Sequence, residues 1–178
     1  NGVENATTRT AEIGSPASDA AFGGLIGSNS AANRGFDGLI DEVRVYNRAL
    51  SAEEIKRLYK IGATTKINKP LYSGLDSGLV GNWTIDGPDI ANVTAYDRSG
   101  TGNNGTLTND PTRAIGRIGQ ALNFDGVDDE VVTNDIATID AVSAVTIAFW
   151  GKRRITSDYL PVGKSAAGNL VTAINVWN

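Results

Sequence analysis

The chain has 178 residues, of which 40% are hydrophobic and 20% are charged, and its formal net charge is −4 at pH 7. This length and composition predict a folded domain with a real core and argue against disorder. The acidic balance and the lack of a long basic stripe argue against a nucleic-acid surface. No stretch approaches the roughly 20 apolar residues that a membrane-spanning helix needs, so we predict no membrane insertion.

The residue types that are missing narrow the chemistry further. The sequence contains no Cys, no His and no Met. Without Cys and His there is no disulfide, no imidazole base and no zinc site of the ordinary kind. The metal that remains is a hard cation with oxygen ligands, and calcium suits the abundant Asp and Asn. Because the sequence has neither an initiator Met nor a signal peptide, we expect the chain to be a piece of a longer protein.

Short apolar runs follow one another along the chain and predict an all-β fold. In GLIDEVRVY, the apolar residues Leu39, Val43 and Val45 alternate with charged neighbours, and Ile40 breaks the strict period. Gly, Asn and Asp clusters separate further runs rich in Val, Ile, Thr and aromatics. These runs are GLVGNWTI, QALNFDG, EVVT, AVTIAFW and LVTAINVW. Such spacing predicts a sandwich or a jelly roll rather than alternating strands and helices.

One short helix is predicted directly after the first strong strand. Ser51 and Glu54 have the spacing of a capping box, and Gly62 offers a C-terminal stop. We therefore predict a helix over residues 52–60, which is about two turns. Its apolar residues, among them Leu58, fall on one face that we expect to pack on the sheet.

Several segments resemble a known family of extracellular domains. FDGLIDEVRVYNRALSAEEIKRLY resembles the C-terminal signature of the laminin-G-like, concanavalin A-like jelly-roll domains of bacterial surface proteins. GLVGNWTIDGPDI, AYDRSGTGNNGTL and GQALNFDGVDDEV resemble the N-terminal signatures of that family, in the family's order. The resemblance implies a concanavalin A-like jelly-roll sandwich of two antiparallel sheets with one short helix. It also implies an extracellular or cell-surface location.

The order of these signatures is reversed within the chain. Residues 1–60 resemble the C-terminal half of a jelly roll, residues 61–77 resemble a linker, and residues 78–178 resemble the N-terminal half. We favour one composite sandwich per chain, in circularly permuted order, because separate halves would each leave an unpaired edge and a half-covered apolar face. The alternatives are strand exchange between molecules or repeats, and a fragment without independent stability.

The segment DRSGTGNNG, residues 97–105, is the strongest local candidate for a metal site. Closely spaced Asp and Asn with intervening Gly can wrap oxygen ligands around a calcium ion. The resemblance implies Asp97 as a ligand with Asp41 as its partner, and Asp86 and Asn104 as weaker candidates. The alternative is an Asx-rich turn that satisfies its own backbone without metal.

The acidic segment FDGVDDE suggests a carboxylate pair, but it does not have the arrangement of a glycosidase. A glycoside hydrolase needs two carboxylates about 5 to 9 Å apart on opposite sides of the bond, and neighbours on a hairpin do not meet that geometry. The strand motifs of the jelly-roll glucanases are also not seen. We interpret the segment as a solvated turn that closes a hairpin or as a secondary cation site, and we predict no enzymatic activity.

Aromatic residues are the remaining candidates for ligand contacts. Trp83 and Trp150 lie within apolar runs and are predicted to fill the core. Trp177, next to the last residue, is predicted to contact a ligand, and the alternative is that it lies on an edge that pairs with a missing strand. The segment GKRR at 151–154 forms either a local anion patch or a solvated strand end.

Together these features predict a non-catalytic extracellular binding module with a structural calcium. Its partner would be a glycan or another surface protein. The alternative is a structural repeat of a surface protein or filament that self-associates through exchanged strands. A glycoside hydrolase or lyase is the least supported function, because neither an acid pair nor a nucleophile setting is visible.

Overall fold

The computed structural model describes residues 23–28, 35–63, 74–140, 142–154, 161–164 and 173–175. In this part of the chain, single turns of 3-10 helix lie at Gly87–Asp89 and Ala137–Ile139, and no helix has the length and hydropathy needed to cross a membrane. The strands and the helix, in chain order, are β1 (Gly23–Ile26), β2 (Asp37–Tyr46), α1 (Ala52–Ala63), β3 (Leu79–Trp83), β4 (Ile90–Ala91), β5 (Thr94–Ala95), β6 (Gly105–Thr108), β7 (Thr112–Ile115), β8 (Gln120–Asp125), β9 (Glu130–Asp135), β10 (Thr146–Arg153), β11 (Val162–Lys164) and β12 (Ala173–Asn175).

The strands form two sheets that pack as a jelly-roll sandwich, which confirms the predicted fold class. The first sheet has the order β11-β1-β9-β6-β5-β4, and the second has the order β12-β10-β2-β8-β7. Neighbouring strands are antiparallel except for β12, which runs parallel to β10. Sequentially distant strands therefore lie side by side, as the Greek-key connections of jelly rolls require.

Strand β2 is the centre of the second sheet. One edge of β2 pairs with β10, while its other edge pairs with β8 through residues 37–40 and with β3 through residues 43–46. Val43 and Val45 of β2 lie in the same hydrophobic core as Trp83 and Phe124. A strand near the start of the chain thus shares one apolar interior with strands from the second half.

A β-bulge in β2 decides which side chains face that core. Glu42 and Val43 together oppose Phe149 alone on β10, and Glu42 has a left-handed φ of 55°. The extra residue resets the alternation, so Ile40 faces the core together with Val43 and Val45. The alternation in the sequence placed Leu39 on the same face as Val43 and Val45, and the bulge corrects that prediction. It also leaves Asp41 on the opposite face of the sheet, which we call the outer face.

Helix α1 begins with the predicted capping box. The Ser51 backbone N–H donates to Glu54 Oε2 at 2.9 Å, and the Glu54 N–H donates to Ser51 Oγ at 3.4 Å. Hydrogen bonds from Arg48 and Ser51 lower the pKa of Glu54 to about 2. The helix passes Gly62 and ends at Ala63, three residues beyond the predicted end at 60. Packing on the sheet explains the extra turn, because Ile61 contacts the cluster below the helix.

That second apolar cluster lies between α1 and the outer face of the second sheet. It contains Tyr46 of β2, Leu58 of α1 and Leu75, which is only 2% exposed. The segment predicted as a linker, 61–77, thus contains the end of the helix and a buried leucine. Its boundaries as a linker between two halves stay a prediction, and residues 64–73 lie outside the described part.

Candidate functional site

The Asp97 carboxylate organises the loop that precedes β6. Its Oδ1 accepts hydrogen bonds from the backbone N–H groups of Asn82 at 2.9 Å and Ser99 at 2.8 Å. Its Oδ2 accepts from the Asn103 N–H at 3.0 Å and from the hydroxyls of Ser99 and Thr101 at 2.8 and 2.9 Å. Five donors therefore converge on one side chain, as in an Asx-rich turn.

These contacts also set the charge of the loop and fix it to the core. Although burial raises the pKa of Asp97, hydrogen bonds from Ser99 and Asn82 outweigh it and hold that pKa below its ordinary value. The side chain of Asn104 accepts from the Asp97 N–H at 3.0 Å, and Trp83 Nε1 donates to the Asn103 carbonyl at 3.0 Å. The geometry favours the Asx-rich turn, in which the Asp97 carboxylate satisfies the backbone N–H groups of the loop without a metal. Calcium ligation by Asp97 and Asn104 stays a prediction.

The other two predicted ligands meet at a different place, the turn between β7 and β8. Asp41 Oδ2 accepts from the N–H groups of Arg117 at 2.7 Å and Ile118 at 2.8 Å. Asp86 Oδ1 accepts from the Gln120 N–H at 2.7 Å. Two carboxylates thus hold one turn, whereas the hydrogen bonds of the Asp97 side chain go to residues 82–103. The four predicted ligands fall into two pairs.

Asp41 is the buried acid of this pair. Asp41 is only 2% exposed, and its Oδ1 atom has no hydrogen-bond partner among the described residues. Burial raises the pKa of Asp41 to about 7, with further contributions from the charges of Glu42 and Asp86. Burial also raises the pKa of Glu42, although an ion pair with Arg44 opposes the shift.

A cluster of three acids lies at the tip of the β8–β9 hairpin. Carboxylate oxygens of Asp125, Asp128 and Asp129 all lie within 4.8 Å of one another. Asp129 is buried, and its Oδ2 accepts from the Asp125 N–H at 2.9 Å. Burial raises the pKa of Asp129, and the charges of its two neighbours add to the shift. Three close oxygen ligands suit a hard divalent cation, so this hairpin fits the cation-site interpretation of FDGVDDE.

An aromatic and basic surface lies on the outer face of the second sheet. The Trp150 ring packs 5.8 Å from the Tyr59 ring of α1, and the Arg117 guanidinium lies 5.3 Å from the Trp150 centroid. The alternation of β10 puts Trp150 on this face because Phe149 belongs to the core. A shallow depression beside Trp150 is lined by Leu39, Asp41, Ile115, Arg117, Trp150 and Lys152.

The three tryptophans that the sequence singles out differ in their surroundings. Trp83 is 1% exposed within the main core, as predicted, and Trp150 is also buried but contacts the helix and Arg117 instead. Trp177 lies outside the described residues, so its ligand contact stays a prediction. The sequence reasoning missed Arg117, because nothing local in the turn IGRIG indicates that it lies beside Trp150.

Residues 1–56 match the family model Laminin_G_3, described as the concanavalin A-like lectin/glucanases superfamily. The matched residues include β2 and the start of α1, so the resemblance predicted from residues 36–59 is confirmed. The comparisons found no matching curated protein and no matching solved structure.

Proposed function

From the laminin-G-like match at residues 1–56 and the jelly-roll sandwich that contains its strands β1 and β2, we propose that this chain is a non-catalytic extracellular binding module. Its partner is a glycan or another surface protein. Modules of this architecture hold their loops and sheet faces on a rigid scaffold, so that ligand contacts vary without changing the fold.

The observation that carries the proposal is the position of β2. This strand lies within the laminin-G-like match and pairs with β3, β8 and β10 at the centre of the second sheet. The described strands of the matched segment thus belong to the two-sheet sandwich, which supports the proposal. Lectin-like binding is the property that the superfamily description names together with glucanase activity.

A binding role is preferred over a glucanase role because of the carboxylates. Asp41 and Asp86 are both engaged in holding the turn between β7 and β8, and Asp97 is engaged in its own loop. Asp125, Asp128 and Asp129 come from one hairpin, whereas a hydrolase needs carboxylates on opposite sides of the scissile bond. Asp41, Asp86 and Asp97 thus hold backbone groups in place, and the acids of the hairpin lack the arrangement that hydrolysis needs.

We also propose a structural calcium at the tip of the β8–β9 hairpin. The donor set of Asp125, Asp128 and Asp129 fits this ion, because three carboxylate oxygens within 4.8 Å form a hard, negatively charged group. Bound there, the ion would neutralise the repulsion among the three acids and stabilise the hairpin. The Asp97 loop and the turn held by Asp41 are two separate and less favoured locations, because the Asp97 and Asp41 oxygens already accept several backbone hydrogen bonds.

A glycan array tests the binding role. The wild-type chain should show saturable binding to one class of glycan. The control is Ile40→Asp, which places a charge at a core position that is 0% exposed and should unfold the sandwich. Equal signals from the wild type and this unfolded variant, or no signal from either on arrays of glycans and surface proteins, would contradict the proposal.

The alternative function, a self-associating structural repeat, stays a prediction. Four large apolar side chains are exposed in the described surface, and the most exposed of them, Ile115 at 88% and Val127 at 64%, favour contact with another molecule. The pairing of β2 described above lies within one chain. Light scattering over a range of concentrations distinguishes the two functions, because an assembly repeat grows in mass with concentration and a binding module does not.

A further inference from the structure

Lys164, the last residue of β11, is a buried lysine in contact with two carboxylates. It is only 4% exposed, and its Nζ donates to Asp135 Oδ1 at 2.6 Å and to Asp140 Oδ1. Lysine is rarely buried to this extent, because its charge loses contact with water. The side chain of Asp140 is 14% exposed and that of Asp135 is 30% exposed, so Asp140 is the more enclosed partner. An amine and two carboxyl groups thus meet within the fold.

The backbone around these three side chains explains why they meet. Strand β1 lies between β11 and β9, and it carries Gly24 opposite Lys164 and Gly23 opposite Asp135. Because glycine has no side chain, no side chain of β1 separates the lysine from Asp135 at these positions. The Asp140 N–H is hydrogen-bonded to the 3-10 turn that follows β9, which holds the second carboxyl group in place.

The surroundings of Lys164 are apolar on one side. A small cavity beside it is lined by Ile136, Ile139 and Val162, all of which are buried. Such surroundings favour neutral groups over charged ones. They also exclude bulk water, which would otherwise hydrolyse a bond formed between an amine and a carboxyl group. This environment therefore suits a condensation reaction that releases water.

We propose that Lys164 and Asp140 form an amide bond between their side chains, and that Asp135 carries the protons. Lys164 Nζ bonds to Asp140 Cγ, and the bond between Cγ and one carboxyl oxygen breaks. Of the three ammonium hydrogens, one stays on Nζ and two leave with that oxygen as water. Asp135 accepts each proton from Nζ and passes it to the departing oxygen, so it ends as the carboxylate that it was at the start. The reaction needs no oxidant and no cofactor.

The amide bond connects β11 to the segment that follows β9. In the described part of the chain, β11 is the outermost strand of the first sheet and has only three residues. A short edge strand opens easily, because few backbone hydrogen bonds hold it. A covalent bond between residues 24 positions apart opposes this opening and restricts the unfolded chain, as a disulfide does. This modification is independent of what the module binds.

Mass spectrometry of the intact, denatured wild-type chain tests the bond directly. We expect a mass about 18 Da below the mass of the sequence, which is the loss of one water. After digestion with trypsin, the peptide that contains Lys164 should be joined to the peptide that contains Asp140, and fragmentation should map the bond to these two residues. A wild-type mass equal to that of the sequence would overturn the proposal, and so would a bond mapped to any other pair, including Lys164 with Asp135.

Matched lysine substitutions identify the amine that reacts. Lys164→Arg keeps the positive charge, but a guanidinium does not lose its proton to become a nucleophile, so this variant should have the full mass of its sequence. Lys56→Arg makes the same change on the exposed surface of α1 and should keep the loss of about 18 Da. A loss of water that persists in Lys164→Arg would overturn the role of Lys164.

Asp135→Asn tests the proton carrier. This variant keeps a side chain of the same size but has no carboxylate to accept a proton from Nζ, so the fraction of chains that have lost water should fall at least about tenfold. Circular dichroism checks that each variant is folded, and the joined peptides of the wild type decide the question if a variant is not. Complete loss of water in a folded Asp135→Asn variant would overturn the role of Asp135.

Discussion

The buried carboxylate of Asp41 makes the stability of this protein depend on pH in an unusual direction. Its pKa is raised from 3.8 to about 7, chiefly by burial. Because the folded pKa lies above the unfolded one, its contribution to stability is full below about pH 4 and is lost as the pH rises through 7. Between about pH 4 and pH 7, Asp41 holds a proton in the native state that it has released in the unfolded chain.

The size of the effect follows from the shift. A rise of about three pKa units corresponds to about 4 kcal/mol of unfolding free energy lost between pH 4 and pH 8, at about 1.4 kcal/mol for each unit. Asp41→Asn removes the titration but keeps an oxygen that can accept from Arg117 and Ile118. The stability of the variant relative to the wild type should therefore increase by up to about 4 kcal/mol across this range.

Urea denaturation of both proteins at pH 4, 6 and 8 measures this difference. Carboxylates far from Asp41 contribute equally to the two proteins, so only their difference is informative. The interactions of Glu42 and Asp86 with the charge of Asp41 belong to that difference. The control is Glu53→Gln, which removes an exposed carboxylate on α1 and should leave a curve parallel to the wild type within about 0.5 kcal/mol. A difference between Asp41→Asn and the wild type that stays constant within about 1 kcal/mol would refute the burial of this carboxylate.

Three further predictions test the loop, the metal and the core. Asp97→Asn should lower the unfolding free energy by about 2–3 kcal/mol at pH 7, because the amide nitrogen cannot accept from the Asn103 N–H. Urea denaturation measures this loss. A loss below about 0.5 kcal/mol would contradict the role of the Asp97 carboxylate in holding the loop. Calcium should raise the melting temperature of the wild type, and a chelator should reverse the rise. The double variant Asp125→Asn, Asp128→Asn should not respond to calcium. If the double variant responds as the wild type does, the calcium site is not at this hairpin. Trp83→Phe should cost about 2 kcal/mol, because it removes a hydrogen bond and leaves a cavity, and an unchanged denaturation midpoint would argue against the core position.

Features encoded by residues close together in the sequence were predictable. The capping box of Ser51 and Glu54 formed as expected, because its partners are three residues apart and their hydrogen bonds need no tertiary contact. The Asx-rich turn at Asp97 was one of two interpretations of its motif, and the geometry favours it for the same reason. The jelly-roll class followed from the spacing of short apolar runs and from the family resemblance.

The roles of Asp41 and Arg117 depended on the tertiary structure. Asp41 contacts a backbone N–H 76 residues away, and the bulge at Glu42 turned it to the outer face against the strict alternation of the strand. Arg117 meets Trp150 because β8 and β10 both pair with β2, an arrangement that no local pattern contains. The helix likewise continued past Gly62, since contacts with the sheet outweighed the local stop.

The amino-acid order alone therefore predicted the start of the helix and the self-bonded loop, because each arises mainly from neighbours a few positions apart. It predicted the fold class through the spacing of apolar runs and the family resemblance. Which carboxylate lost contact with water, and which turn it came to hold, was decided only when distant strands packed together. Burial and long-range pairing set those properties, and both exist only in the folded chain.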